Sequence, residues 1–297
     1  MPQDIKVSVI IPNLNSPIID KTIESILEQE TDINYEIIIV GMDKYNLVKN
    51  FKDEIKIVET KKPTPPAKAR NIGASLAKGE IIFLIDADCI ASPKWMDKHI
   101  KVHQEFCTDV IVGGGVDFPS KHYLTLSDNI STFHEFMPHI PRQNRDFLPS
   151  LNLSIPKKIW LLTDGFNTKY PFPAGEDSEF TFRLYQMNYK LIFEPNAIII
   201  HLPKRNKMLD LINHAYRFGQ YSIKSQHSHL KNSLIPHPLN NWLATIFFSP
   251  LLSAYIIFKI ICLEKLPLRY WHTLPIIYFL KLIWCFGFAF QFRSMKE

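Results

Sequence analysis

The sequence contains few cysteines, and their spacing excludes two common kinds of structural site. Only four occur in 297 residues. No two of them form a Cys-x-x-Cys pair, which is the spacing typical of a zinc site, and they are too scattered to indicate a disulfide framework. We therefore expect a protein of a reducing compartment. The four residues are Cys89, Cys107, Cys262 and Cys285.

The chain also lacks any long block of charge of one sign. Its formal net charge is +5, a mild excess that is compatible with anionic lipids or phosphate-bearing ligands. No basic block interleaved with aromatic residues occurs, so we expect no nucleic-acid partner. The opening stretch MPQDIKVSVIIPNLN has none of the three regions of a secretory signal, and we therefore expect a catalytic part that faces the cytoplasm.

The first 115 residues alternate apolar strand patterns with helix patterns of about 12 residues, such as the one at 66–78. A further helix pattern lies at 175–187. Continuous apolar strands separated by helices are typical of an α/β fold, with a mostly parallel central sheet and helices on both faces. Ligands of such sheets bind beyond the carboxyl ends of the strands, so the loops there should line one crevice. The predicted strands are 7–11, 36–40, 55–58, 81–85 and 109–112, the last of them ending in a triple glycine.

The end of the chain is much more apolar than the rest. Two segments, 242–258 and 271–292, are near the length that crosses a bilayer, and we expect them to form membrane-associated helices. Lys259 and Lys281 accompany the two segments. The sequence therefore allows a hairpin with both ends in the cytoplasm, or flat insertion into one leaflet.

Two carboxylates, Asp86 and Asp88, follow the apolar strand at 81–85. Alternation along an extended chain places both on the same side, so both can face one ion or one ligand. An aspartate pair of this spacing arises by chance about once in a chain of this composition, so the pair alone carries little information. Its position at the end of a buried strand favours a site, because unpaired charges there would be costly. Carboxylate ligands indicate a divalent metal, commonly bound together with phosphate.

Two further polar features allow a structural and a catalytic interpretation. Glu176, Asp177 and Glu179 open a predicted helix, where the helix dipole favours acids; alternatively, one of them is a general base beside a hydroxyl nucleophile. His201 ends an apolar strand pattern at 191–200. A single histidine is usually a surface or hydrogen-bonded residue, but at a strand end it could complete the coordination of a metal.

Five sequence pieces together resemble family 2 glycosyltransferases, which are inverting enzymes of the GT-A fold that use nucleotide-sugar donors. In chain order the pieces are VSVIIPNLN, EIIIV, AKARNIGASLAKGEIIFLIDADCIASPKWM, LNLSIPKKIW followed by DGF, and GEDSEFTFRL. The resemblance covers residues 5 to 205. It implies a nucleotide-sugar-binding half at 1–115 and an acceptor-binding and catalytic half at 116–235, followed by the membrane-associated helices at 236–297.

The resemblance also implies roles for individual residues. Asp177 would be the base that deprotonates the acceptor hydroxyl, and Glu176 and Asn152 would lie on the acceptor side. Asp86, Asp88 and His201 would hold Mn²⁺ or Mg²⁺ at the donor diphosphate. The donor itself would contact a set that extends over the first half of the chain: Pro12, Asn13, Asp43, Lys68, Arg70 and Asp86. The expected acceptor is a glycan or a lipid-linked sugar of cell-surface polysaccharide or glycolipid assembly.

The sequence departs from the family after its second strand. One or two aspartates are usual there, whereas this chain has Gly41 and Met42, with Asp43 just beyond them. Asp43 either takes the role of binding the nucleobase from a shifted loop, or base recognition differs.

Three other functions remain as alternatives. A phosphohydrolase of the haloacid-dehalogenase type would use Asp86 as a nucleophile, but its signature normally opens the domain. A nucleotidyltransferase would share the crevice and the metal, yet it has no evident use for the acids at 176–177. An inactive membrane-bound scaffold is the third alternative, and the presence of Asp86, Asp88 and Asp177 argues against it.

Overall fold

The computed structural model describes residues 6–106, 110–119, 121–230 and 241–294, with the backbone alone for 223–230. The chain forms two compact units. The first combines Met1–Asp117 with Phe136–Leu202, and the second combines Phe118–Glu135 with Pro203–Glu297. These units cut across the expected division at residues 115 and 235, because the segment around 118–135 and the chain from 203 onward group with the C-terminal helices.

The first unit is built on one sheet of nine strands. Their order across the sheet is β3-β2-β1-β4-β8-β6-β9-β5, and β7 pairs with β9. The strands are β1 (Val7–Leu14), β2 (Tyr35–Met42), β3 (Lys56–Glu59), β4 (Ile81–Ile85), β5 (Cys89–Ala91), β6 (Val110–Asp117), β7 (Gln143–Arg145), β8 (Asn152–Pro156) and β9 (Lys190–His201).

The four strands β1 to β4 are parallel to one another, as the sequence predicts. The strand β8 then lies antiparallel between β4 and β6, and its Asn152 is paired with Ile85 at the end of β4. Every residue of β4 and β8 is buried. This continuous burial explains why β4 reads as an apolar run, whereas β8 also buries the polar side chains of Asn152 and Ser154.

The triple glycine does not end its strand, which corrects the prediction for 109–112. Asp109 lies outside the described residues, and β6 continues through the glycines to Asp117. A Cβ added to Gly114 would lie 2.1 Å from the carbonyl oxygen of Ala197 on the neighbouring strand β9. The pairing of β6 with β9 shifts register between Gly114 and Val116. Glycine is therefore needed where a bulge brings two backbones together.

Helices flank the sheet of the first unit. They are α1 (Ile19–Leu27), α2 (Pro66–Leu76), α3 (Trp95–Glu105), α5 (Lys157–Leu161) and α6 (Glu176–Gln186). Each of them buries an apolar face, and the core between helices and sheet includes Phe83, Trp95 and Phe180, all fully buried. Burying aromatic side chains of this size is a major favourable contribution to folding.

The second unit is helical. It contains α4 (Tyr123–Phe133), α7 (Met208–Leu230), α8 (Trp242–Phe258) and α9 (Leu274–Ser294). Its shorter turns are a 3-10 helix at Leu268–Thr273 and a π-helical turn at Lys259–Leu263. Two more 3-10 turns are Val48–Phe51, in the first unit, and His134–Phe136, where the residue ranges of the two units meet. Two stretches, Trp242–Leu263 and Leu268–Ser294, are long and apolar enough to cross a membrane. Both predicted apolar segments are thus helices.

Candidate active site

The turn between β4 and β5 holds the two aspartates of the motif. The backbone N–H of Cys89 donates to the carbonyl of Asp86 at 3.1 Å, which closes the turn. Ser16 and Thr22, just before and within α1, donate their hydroxyls to the carbonyl of Ala87 at 2.7 and 3.1 Å. Hydrogen bonds to the residue between the aspartates fix the turn, so both carboxylates are held at the end of the buried strand.

Arg70 connects this turn to the acidic start of α6. Its Nη2 donates to Oδ1 of Asp86 at 2.7 Å, and its Nη1 donates to Oε1 of Glu176 at 2.9 Å. The Arg70 and Glu176 side chains are almost completely buried, whereas Asp86 keeps a third of its side-chain surface exposed. A guanidinium has a rigid fork of donors, so it can hold two carboxylates from different elements in one geometry.

Charges around Arg70 compensate one another. Burial alone would lower the pKa of Arg70, but the carboxylates of Asp86 and Glu176 outweigh this effect and raise it. The guanidinium also lies over the ring of Phe166, 5.3 Å from its centroid. This cation–π contact, together with the two ion pairs, replaces the hydration that a buried charge loses.

The neighbouring acids Glu176 and Asp177 are both harder to ionise than free carboxylic acids. Burial, and secondly the charge of Asp177, raise the pKa of Glu176 to about 7, although Arg70 opposes the rise. Burial also raises the pKa of Asp177. Two backbone N–H groups donate to Asp177, that of Ser150 at 3.2 Å and that of Ser178 at 2.8 Å. Asp177 is therefore oriented, and its raised pKa moves it toward the range of a general base.

Asp88, Cys89 and His201 form a group of potential metal ligands. Their ligand atoms all lie within 4.8 Å of one another, and Nε2 of His201 is 3.7 Å from Oδ1 of Asp88. The antiparallel pairing of β5 with β9 sets Cys89 opposite His201, which explains the proximity. Two ligands about 2.2 Å from one ion are about 3.7 Å apart when the angle between them is about 115°, so Asp88 and His201 fit a shared divalent ion. Burial raises the pKa of the Cys89 thiol well above its ordinary value, which disfavours the thiolate.

A cavity of about 260 Å³ lies beyond the ends of β1, β2 and β3. Asn13, Gly41 and Asp43 line it, with Lys44, Glu59 and Thr60. Gly41 has a φ of +142°, and a Cβ there would lie 1.8 Å from the carbonyl oxygen of Asn13. The acid that the family usually carries cannot stand at this position without displacing β1. Asp43 reaches the cavity instead, and its Oδ2 accepts a hydrogen bond from the N–H of Val48 at 2.8 Å.

Three predicted residues lie differently from what their roles require. Asn152 is fully buried; its amide donates to the carbonyls of Gly115 and Ala197, and its oxygen accepts from Trp95, so it has nothing left to offer an acceptor. Glu176 has almost no exposed surface and supports Arg70. Lys68 is exposed on α2, two residues from Arg70, and no contact among the described residues joins it to the cluster. Pro12 is on β1 beside Asn13.

The burial of Asn152 belongs to a polar network that the sequence did not reveal. Nε2 of His99 lies 2.9 Å from the Asn152 oxygen, and Nδ1 of the same ring lies 2.9 Å from the hydroxyl of Ser154. Nε2 of His103 lies 2.8 Å from that hydroxyl. Burial lowers the pKa of His99 to about 4 and that of His103 to about 3, so both rings are neutral.

The donors and acceptors of this network can be assigned in order. The Asn152 oxygen only accepts, so His99 is protonated at Nε2 and accepts from Ser154 at Nδ1. Ser154 then accepts from His103 Nε2–H. The network ties α3 to β8 beside the end of β4. Its signal in the sequence is the spacing of two histidines at i and i+4, which places them on one helix face.

A second group missed by sequence reasoning holds the loop that carries Phe166. The side-chain amide of Asn71 donates to the carbonyl of Phe166 at 2.8 Å and accepts from its N–H at 2.9 Å. Arg183 on α6 donates to the carbonyls of Thr163 and Gly165 at 2.6 and 2.7 Å. These bonds keep the Phe166 ring under Arg70. Asn71 follows Arg70 directly in the ARN motif, and that adjacency was the available signal.

Comparison with proteins of known structure shows the same fold. A mannosyltransferase of Pyrobaculum calidifontis, in complex with GDP-Man and Mn²⁺, aligns with a TM-score of 0.59 at 18% identity, covering 92% of this chain and 73% of that one. GalNAc-T7 with UDP, GalNAc and Mn²⁺ aligns with a TM-score of 0.57 at 14% identity, covering 80% and 52% of the two chains. These neighbours support the predicted GT-A fold, with its mixed α/β sheet and flanking helices.

Comparison by sequence also shows similarity to glycosyltransferases. A poly(ribitol-phosphate) beta-N-acetylglucosaminyltransferase of Staphylococcus aureus (strain N315) is 29% identical over 117 residues, which make up 36% of this chain and 36% of that protein. The chain thus spans about a third of that relative's length. The family model for glycosyl transferase family 2 matches residues 8–163, which is more than half of the chain and extends from β1 through β8. The chain belongs to glycosyl transferase family 2.

Proposed function

We propose that this protein is a metal-dependent, inverting glycosyltransferase that moves a sugar from a nucleotide-sugar donor to a hydroxyl acceptor. The observation that carries the proposal is the link from Asp86 through Arg70 to Glu176 and its neighbour Asp177. One end of this link lies at the turn that carries Asp88, beside the group that fits a metal, and the other end carries a candidate base. A reaction between a diphosphate ester and a hydroxyl is accelerated by both a metal ion and a base.

Asp86, Asp88 and His201 would hold Mn²⁺ or Mg²⁺. Such an ion, when bound at a diphosphate, offsets the negative charge that develops on the leaving nucleoside diphosphate. The two structural neighbours described above contain Mn²⁺. In this chain the carboxylate and imidazole donors suit Mn²⁺ well, since that ion accepts both oxygen and nitrogen ligands.

Asp177 would act as the base that removes the proton from the acceptor hydroxyl. The N–H groups of Ser150 and Ser178 hold its carboxylate in one orientation. Its raised pKa makes it a stronger base than an ordinary aspartate, although it is still ionised above that pKa. The role of Arg70 is then to keep Glu176 and Asp86 paired, so that uncompensated charge does not raise the pKa of Asp177 too far.

The donor nucleoside would occupy the cavity lined by Asn13, Gly41 and Asp43, with Pro12 at its edge. Asp43 offers this cavity a carboxylate, and Lys44 offers a cation. UDP and GDP-Man occur in the two neighbours, so both pyrimidine and purine donors belong in the test. Lys68 is exposed on α2, two residues before Arg70, and has no assigned part in this arrangement.

The acceptor would be a glycan or lipid-linked sugar of cell-surface polysaccharide or glycolipid assembly, reached from the cytoplasmic face of a membrane. The two apolar helices of the second unit support membrane association. An enzyme held at a membrane meets lipid-linked acceptors in two dimensions, which raises their effective concentration.

The experiment is a screen of UDP-, GDP- and dTDP-sugars against the purified protein with Mn²⁺, with and without EDTA. Metal-dependent donor binding and release of a nucleoside diphosphate are expected; release of pyrophosphate would indicate a nucleotidyltransferase instead. Covalent phosphorylation of Asp86 would indicate a phosphohydrolase. The anomeric configuration of the product, read by NMR, checks inversion.

Three matched aspartate variants separate the roles. Asp177→Asn should bind the donor normally but transfer the sugar at least 100-fold more slowly, because it lacks the base. Asp88→Asn should lose metal-dependent donor binding. Asp32→Asn makes the same change on an exposed loop between α1 and β2 and should behave like the unchanged protein. Full transfer activity in Asp177→Asn would refute the assignment of the base.

A further inference from the structure

The outer helix α8 has an inverted distribution of side chains. Its fully buried positions are Thr245, Ser249 and Ser253, which are small and carry hydroxyls. Its large apolar side chains face outward instead. Those with more than half of their surface exposed are Leu243 (57%), Phe247 (76%), Leu251 (67%), Tyr255 (61%) and Phe258 (54%).

This inversion is not expected for a helix surrounded by water. A water-soluble bundle buries its large apolar residues and exposes its polar ones. Small residues at helix contacts and large apolar residues outside are typical of helices in lipid, where close backbone approach drives packing. The exposed residues recur at intervals of three or four, so they form one continuous stripe along α8.

The other apolar helix, α9, is more buried than α8: 39% of the apolar span in Leu268–Ser294 is buried, against 17% in Trp242–Leu263. It packs against α7 so closely that a Cβ on Gly219 would lie 2.1 Å from the carbonyl oxygen of Trp284, and one on Gly287 would lie 2.1 Å from that of Tyr216. The helix α4 covers its first half, where Leu211, Ala215 and Leu280 form a cluster with Leu124 packed against it. The two apolar segments therefore differ in how much protein packs against them.

Charged groups on the helices that cover α9 oppose a spanning hairpin. Asp128 of α4 is buried and accepts from Nε of Arg205 at 2.6 Å, and Nδ1 of His214 on α7 lies 2.8 Å from its second oxygen. At the end of α8, Lys259 pairs with Glu135, and Glu264 pairs with His134. A bilayer-spanning α9 would draw these groups into hydrocarbon, where charges are very costly.

The net charge of this part of the chain identifies the surface that the stripe would meet. From residue 203 to residue 297 the sequence contains 12 lysines and arginines but only three aspartates and glutamates. A basic unit is attracted to anionic lipid headgroups at its edges, and exposed apolar side chains then enter the acyl region. Arg293 lies over the ring of Trp242 at the start of α8, a pair suited to the headgroup level.

We propose that the protein binds anionic membranes through the outer stripe of α8, which lies in the plane of one leaflet, while α9 stays packed against α7 and α4. This inference rests on the membrane association in the proposed function and specifies its mode. It selects flat insertion over the spanning hairpin, and it assigns different tasks to the two helices that are long enough to cross a bilayer.

Vesicle flotation tests the surface. The full chain should bind phosphatidylcholine vesicles with 30% phosphatidylglycerol at least tenfold more tightly than vesicles without it. The variant Phe247→Ser with Leu251→Ser should bind about 100-fold more weakly, roughly tenfold for each side chain. The matched control is Leu161→Ser with Leu162→Ser, which removes two exposed leucines from the first unit and should bind normally. Unchanged binding of the α8 variant would overturn the assignment.

Depth measurements test the mode and do not depend on that variant. A bimane label is attached at Leu243→Cys, Leu251→Cys or Phe258→Cys, after Cys107→Ser and Cys262→Ser, and is quenched by lipids brominated at different depths. The outer two positions are about 22 Å apart along the helix. An in-plane helix gives three equal, shallow depths. A deep position 251 between two shallow ends would show a spanning helix and overturn the proposal.

Two controls separate this inference from the proposed function. Metal-dependent donor binding is measured on every variant; if it persists in a chain that never binds vesicles, the membrane surface is wrong and the proposed chemistry stands. If donor binding is absent from all forms while vesicle binding follows the expected pattern, the proposed chemistry fails instead. A third outcome is that the unchanged protein is a dimer that does not bind vesicles, and that Phe247→Ser with Leu251→Ser makes it a monomer. This outcome would overturn the membrane proposal and assign the stripe to contact with a second copy of the chain.

Discussion

The substitution Glu176→Gln should stabilise the protein above neutral pH and leave its stability unchanged in mild acid. Burial raises the pKa of Glu176 from 4.5 to about 7 in the folded state. A carboxyl whose pKa is raised by folding stabilises the fold fully below its unfolded pKa, and this contribution is lost as the pH rises through the folded value. Each pKa unit corresponds to 1.36 kcal/mol, so the loss between pH 4.5 and pH 8 is about 3 kcal/mol.

Glutamine keeps the shape of the side chain and the acceptor for Arg70 but never ionises. Relative to the unchanged protein, Glu176→Gln should therefore be close to neutral at pH 4.5 and about 3 kcal/mol more stable at pH 8. Urea unfolding followed by tryptophan fluorescence measures both values. All other titrating groups are the same in the two proteins, so their contributions cancel in the difference between the two free energies of unfolding. That difference therefore reports on Glu176 alone.

A control variant changes the same charge at the surface. Glu80→Gln removes an exposed partner of Lys6, and exposed ion pairs contribute at most about 1 kcal/mol, so its effect should stay below that at both pH values. A Glu176→Gln effect that is the same at pH 4.5 and pH 8 would refute the reasoning, because it would show that burial does not oppose ionisation at this position. Greater stability with slower transfer would show that the site keeps a destabilising charge for its function.

Three further predictions concern the same unit. If Asp177 is the base, kcat/KM should decrease as the pH falls through the pKa of Asp177, at a pH above 3.8. Arg70→Met should move this decrease to higher pH, because Arg70 opposes the rise in the pKa of Asp177. A decrease at the same or a lower pH contradicts this. Ser154→Ala should lower the free energy of unfolding by about 1–3 kcal/mol, because two buried histidines lose their hydrogen-bond partner. The control Ser75→Ala, on the exposed face of α2, should change the free energy of unfolding by less than about 0.5 kcal/mol. Gly41→Ala should cost more than about 1 kcal/mol and weaken donor binding, because its Cβ meets the Asn13 carbonyl; an unchanged affinity would remove the cavity from the donor site.

The sequence was sufficient for the features that depend on local pattern. The strand at 81–85 has the same bounds in the structure as in the prediction, because an uninterrupted apolar run between Gly79 and Asp86 has no other stable place than the middle of a sheet. The helix at 242–258 is equally unambiguous, since 17 uncharged residues are followed by the first lysine. The ordered motifs then indicated the family, which the family model and the shared fold confirm.

Positions decided by contacts between distant segments could not be predicted in this way. The triple glycine looked like the end of a strand, but it is the point where β9 approaches β6 and no Cβ fits. Asn152 looked like an acceptor contact, yet neighbouring strands and α3 use its whole amide. In both cases the deciding partner lies 37 to 83 residues away in sequence or on another element, and no local pattern encodes it.

Burial decided the chemistry of the charged residues. From the sequence alone, Asp86, Asp88, Glu176 and Asp177 are four carboxylates on two segments about 90 residues apart. Only the tertiary structure inserts the guanidinium of Arg70 between the two segments and removes Glu176 from water. Likewise, both C-terminal helices are apolar in sequence, but only packing shows that α9 is the more buried of the two, because hydrophobicity measures what a side chain prefers and packing determines what it meets.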